Sequence, residues 1–139
     1  MLDLGSFRKA LNSLDEVLAL YHDRDFLSGL PEAARRAIEA GVVQNFEFSY
    51  ELAWKFIRRW LAHNLGPSEV EGVSRRHLFR LAAEHGLIDN VETWMGYHQA
   101  RNLTSHAYNQ TVAREIALLA DAFARDAHRL LDALEARND

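Results

Sequence analysis

Arg101, His106 and Tyr108 fall within one short polar run, Arg101-Asn102-Leu103-Thr104-Ser105-His106-Ala107-Tyr108-Asn109. An arginine neutralises charge on phosphoryl oxygens through a planar fork of donors. A histidine moves protons near neutral pH, a contribution of typically ~100- to 10,000-fold. Together they suit cleavage of RNA without a metal. His106 would take the proton of the ribose 2′-hydroxyl or protonate the leaving oxygen, and Arg101 would stabilise the crowded phosphate. With the 2′-hydroxyl as nucleophile, DNA would not be cut. The same run also suits a structural junction. Asn, Thr and Ser side chains compete with the backbone for hydrogen bonds and favour caps and turns, and His106 would then hold a backbone carbonyl. Spacing alone leaves both readings open.

The elements that carry the run constrain it further. On an unbroken helix, Arg101 and His106 would point about 140° apart. To share a pocket, the helix must bend between them or a second copy of the chain must complete the site. Arg101 and Tyr108 would instead align on one face. Ahead of the run, Asn90 suits the cap of a helix carrying Val91, Trp94, Met95 and His98. Behind it, Val112, Ile116, Leu119, Phe123, Ala127, Leu130 and Leu134 form a heptad-like stripe that needs a partner helix at a shallow angle.

The rest of the chain is patterned the same way. Ser6 is expected to cap a first helix with a stripe of Phe7, Leu11, Leu14, Leu18 and Tyr21, and Asp23 to Gly29 reads as a connection. Pro31 suits the first turn of a long helix running to about His63, with Phe46, Tyr50, Ala53, Ile57 and Leu61 on one face, widened by Trp54 and Trp60. Gly41 is a weak point where that helix is expected to bend or divide. Ser74 caps a short helix through about His85, and Gly86 stops it. The expectation is an all-α, up-and-down bundle of four to five helices in a single domain, 1–139.

Composition narrows the chemistry. The 139 residues are 48% hydrophobic with 2 prolines and 7 glycines, enough for one packed core of long helices. There is no cysteine, which excludes a thiolate metal site and a cysteine nucleophile. The 7 histidines include no pair one helical turn apart, so no metal site is expected. The formal charge of -4 argues against tight, non-specific binding to long nucleic acid and leaves room for a small phosphate pocket. Arg75-Arg76-His77 with Arg80 forms a basic patch suited to RNA, an acidic partner or plain solvation. No apolar run approaches the ~20 residues of a membrane span. The N-terminus lacks the blocks of a signal peptide, so a cytoplasmic protein is expected.

Arg101-x4-His106-x-Tyr108 resembles the Arg-x4–6-His motif of HEPN domains, in the longer form that ends in tyrosine. Phe46-Glu47-Phe48-Ser49-Tyr50-Glu51-Leu52-Ala53-Trp54-Lys55 and Arg101-Asn102-Leu103-Thr104-Ser105-His106 are similar to two blocks of one branch, the nucleotidyltransferase substrate-binding protein family related to HepT toxins. The resemblance spans essentially the whole chain. It implies a helical bundle that forms a two-fold homodimer, with the Arg/His segments of both subunits meeting in a cleft. It also implies a separate small nucleotidyltransferase as partner, carrying the ATP and Mg²⁺, so that this chain needs no cofactor of its own. In toxin–antitoxin versions the helical subunit is a metal-independent ribonuclease. The transferase neutralises it by adding AMP to the tyrosine, which here is Tyr108.

Three functions follow: a partner subunit with Tyr108 as AMP acceptor, a ribonuclease toxin with Arg101 and His106 as catalytic residues, or a subunit that only binds a nucleotide or other substrate. All three use the same cleft, with Asn102 and Ser105 in support. Glu47, Glu51 and Lys55 fall on one helix face, either lining that cleft or forming an exposed ion-pair row.

Overall fold

Apolar residues recurring every three to four positions become helices packed on that stripe. In the computed structural model, which describes residues 1–138, Phe7, Leu11, Leu14 and Leu18 are buried along α1 (Gly5–His22). Ser6 does not cap it. The helix starts at Gly5, because the Asp3 carboxylate already accepts from the Gly5 N–H at 2.9 Å and the buried Leu4 anchors the entry. The connection that follows contains a further helix, α2 (Arg24–Ser28), capped by the Asp23 side chain on the Phe26 N–H at 3.1 Å. Six α-helices are thus present among the described residues, where four to five were expected.

Helix α3 (Glu32–Leu65) runs 34 residues, roughly 50 Å at 1.5 Å per residue. Pro31 precedes it as the N-cap, in extended conformation. Gly41 does not divide it. A Cβ there would sit 3.3 Å from Val17 Cγ2, so the glycine allows α1 to pack close to α3. Gly66, at φ 106, ends the helix in a conformation that favours glycine. Ser74 and Asn90 cap α4 (Arg75–Glu84) and α5 (Val91–Leu103) through their side chains, and α6 (Gln110–Ala136) closes the chain.

Helices α1, α3, α5 and α6 run up, down, up and down, with α4 packed beside α5 and α3. The α1–α6 seam shows the register directly. Arg8 pairs with Glu135, Asp15 with His128 at 2.7 Å and His22 with Asp121 at 2.8 Å, one heptad apart on both antiparallel helices. Phe123 forms the centre of the core. Its ring lies 5.0 Å from Phe46, 5.2 Å from Tyr97, 5.9 Å from Trp94 and 6.3 Å from Tyr50, so α3, α5 and α6 meet on one side chain. Such edge-to-face pairs contribute about 0.5–1.5 kcal/mol each beyond area burial. No helix among the described residues is long and apolar enough to cross a membrane.

Candidate functional site: the α5–α6 junction and the face of α3

Trp94, Tyr97 and Ala100 bury the inner face of α5 and so turn Arg101, on its last turn, toward α3. There Arg101 Nε donates to Glu51 Oε1 at 2.9 Å, and Nη2 lies 3.5 Å from Glu47 Oε1. Nη1 donates to the Thr104 hydroxyl at 3.4 Å, and that hydroxyl donates back to the Arg101 carbonyl at 2.8 Å. Every nitrogen of the guanidinium therefore has a partner within its own chain. Glu47 and Glu51 are not an exposed ion-pair row with Lys55. They hold Arg101, while the Lys55 ammonium lies over the Trp54 ring at 5.8 Å.

Helix α5 stops at Leu103, where the chain tightens into a 3-10 turn, Thr104–His106. The unbroken helix on which Arg101 and Tyr108 would align therefore does not exist. Asn109 caps α6, accepting from the Thr111 and Val112 N–H groups at 2.9 and 3.4 Å. Two polar residues of the run, Thr104 and Asn109, thus serve the junction itself. Asn102, Ser105 and His106 are exposed, and their side chains make no hydrogen bond among the described residues. Tyr108 is 85% exposed, with its ring 6.3 Å from that of His106. No ion pair or hydrogen bond joins Arg101 to His106 among the described residues. One chain thus holds its arginine inward and presents its imidazole and phenol outward.

Sequence reasoning missed a network behind the arginine. Glu51 Oε2 accepts from Trp54 Nε1 at 3.1 Å. The Arg75 guanidinium stacks 3.7 Å over the Trp54 ring and donates through Nη1 to the Tyr50 hydroxyl at 2.9 Å. Tyr50 in turn lies 2.9 Å from His98 Nδ1. Burial holds the Tyr50 phenol up at about 12, against the opposing pull of Arg75. It is a protonated donor to His98 Nδ1, which leaves the histidine proton on Nε2. Burial first, then the Arg75 and Arg101 charges, push the His98 pKa below the ordinary range, against the Glu51 field. The available signal was a tyrosine and a histidine on otherwise apolar stripes, since buried polar tips need partners. Arg75 was legible only as part of a basic patch, which the structure splits: Arg76 pairs with Glu92 instead.

Beside the Arg101 clamp, a surface depression of about 540 Å³ is lined by Gln44, Asn45, Glu47, Phe48 and Glu51. Phe48, in that lining, is 60% exposed, and Leu103, the last residue of α5, is 43% exposed.

A family model described as "Nucleotidyltransferase substrate binding protein like" matches residues 2–136. The chain is 30% identical over 138 residues to a Haemophilus influenzae protein named "Probable ribonuclease HepT", covering 99% of this chain and 94% of that one. A solved Haemophilus influenzae structure, said to reveal the fold of a substrate binding domain of a nucleotidyltransferase, superposes with a TM-score of 0.93. It has 29% identity and covers 96% of this chain and 99% of that one. A Thermus thermophilus crystal structure superposes with a TM-score of 0.72 at 30% identity, covering 92% of this chain and 98% of that one.

The His98 environment predicts a pH effect of definite sign. Unfolded, this histidine binds a proton near pH ~6.5. Folded, it binds one only at lower pH. Its contribution to stability is present above ~6.5 and is lost as pH falls through the folded value. Urea denaturation between pH 8 and 5 should therefore show a smaller loss of stability on acidification in His98→Gln than in the parent; an equal loss would contradict the assignment.

Proposed function

The chain belongs to the nucleotidyltransferase substrate binding protein like family, and we propose that it is the helical substrate-binding and partner subunit of a two-component minimal nucleotidyltransferase system, with Tyr108 as the residue that receives AMP. The observation that carries this reading is the exposure of Tyr108: at 85% it is among the most accessible large side chains, held in a turn rather than inside a helix. Its phenol oxygen would attack the α-phosphorus of ATP on the partner, forming the O–P bond as the bond to pyrophosphate breaks and the phenol proton leaves. The partner supplies ATP and Mg²⁺. The added phosphate would stand beside His106, two residues away, and place negative charge and bulk over the imidazole.

The subunit acts as a homodimer in this reading. The exposed Phe48 lines the depression beside the Arg101 clamp, and an apolar side chain of that size there favours a partner surface. A two-fold contact there would supply the outward His106 of one copy to the clamp region of the other.

A second reading is favoured by the 30% identity to the relative named "Probable ribonuclease HepT". In it, Arg101 and His106 cleave RNA without a metal, with Asn102 and Ser105 lining the cleft, and AMP on Tyr108 silences the toxin. Arg101 is positioned by Glu51, and the more exposed Glu47, at the longer 3.5 Å contact, is the partner a phosphate would displace.

Incubation with the nucleotidyltransferase, ATP and Mg²⁺ should add one or more AMP masses to the chain and none to Tyr108→Phe. An unmodified parent, or an equally modified variant, would remove Tyr108 as acceptor. For the second reading, RNA cleavage should persist in EDTA and fall ~100- to 10,000-fold in His106→Ala. Partner binding with neither cleavage nor modification would leave a purely substrate-presenting subunit.

A further inference from the structure

We propose that Arg75 and Arg58 form a phosphate-binding site of their own, built against the ring of Trp54 and not using Arg101. The site is a hollow of about 240 Å³ between α3 and the start of α4, lined by Trp54, Arg58, Val73, Ser74, Arg75 and His98 among others. No aspartate or glutamate lines it. Arg75 is half-buried, and neither Arg75 nor Arg58 has an ion-pair partner among the described residues. Glu51, the acidic group whose field reaches this network, is already bonded to both Arg101 and Trp54.

Arg75 is also fixed in advance. Its guanidinium lies on the Trp54 ring at 3.7 Å, and only Nη1 is engaged, by Tyr50 at 2.9 Å. The Nε–Nη2 edge carries no hydrogen bond among the described residues. That edge is the fork that meets two oxygens of a phosphate at once. A partly desolvated guanidinium without a counter-charge is unfavourable, and an anion in the hollow would compensate it. His98, kept neutral with its proton on Nε2, adds a further donor to the lining without adding charge. Two guanidinium groups facing no carboxylate favour a multiply charged phosphate over a single carboxylate. The Trp54 ring already has two cations near it, Arg75 at 3.7 Å and Lys55 at 5.8 Å, so the hollow accepts a phosphate group and not a stacked base. This site goes beyond the function proposed above and does not depend on Arg101, His106 or Tyr108.

The test is an NMR titration of the full chain with inorganic phosphate, following the Arg75 Nε–H and Trp54 Nε1–H resonances. Both should shift saturably. Arg75→Gln should weaken binding about tenfold, the loss of a charge-assisted contact. Arg58→Gln, at an exposed position with no side-chain bonds among the described residues, should weaken it several-fold without touching the fold. Arg24→Gln, on α2 and outside the lining of the hollow, should leave it within about twofold. AMP and a fully 2′-O-methylated tetranucleotide then compare the two sources of the phosphate; tighter binding of either supports the site and names the source. Resonances that do not move, acetate binding as well as phosphate, an unchanged affinity in Arg58→Gln, or equal loss in Arg24→Gln would overturn the proposal.

Discussion

A guanidinium ties the last turn of α5 to the middle of α3. Arg101 reaches Glu51 and Glu47 on α3 and Thr104 at its own helix end, so one residue fixes where α5 sits and where it stops. Isolated surface ion pairs contribute little, but this group is only 30% exposed, bonds through all three nitrogens and sits in a network. Beyond it, α5 ends at Leu103. The chain tightens, turns and re-enters the bundle as α6 under the Asn109 cap.

The functional consequence is a division of labour. The cation that the proposed phosphate chemistry needs is held and charge-compensated inside one chain. The imidazole and phenol stand in solvent on the far side of the turn. In the proposed two-chain cleft, His106 of one copy approaches the clamp of the other, and Glu47, at the longer contact, is the carboxylate with least to lose. Glu51 also connects this clamp to Trp54 and, through the stacked Arg75, to Tyr50 and His98. The two arginines therefore reach one tryptophan by different routes, Arg101 through Glu51 and Arg75 by stacking on its ring.

Much of the fold was legible in the sequence because burial in a bundle imposes a simple period. The stripes of α1, α3 and α6 and the caps Ser74 and Asn90 are where their spacing and side-chain chemistry put them. The misreadings share a cause: local propensity was overridden by a neighbour distant in sequence or by an adjacent cap. Gly41 looked like a breaker, but Val17 of α1 packs against it; Ser6 looked like a cap, but Asp3 already served. At the site, Arg101, His106 and Tyr108 stand out in the sequence, and helical geometry already sets Arg101 and His106 apart; the place of Tyr108 was not legible, since it depends on α5 ending at Leu103. The Tyr50–His98–Arg75 network was hidden because its members lie on three helices, and no spacing rule links them.

The two-chain cleft is tested most directly by isotope-filtered NMR on a mixture of labelled and unlabelled chains. Cross-relaxation between the His106 ring protons of one chain and the Arg101 side-chain protons of another is the predicted result. A monomer, or a dimer in which His106 shows contacts only within its own chain, would contradict it.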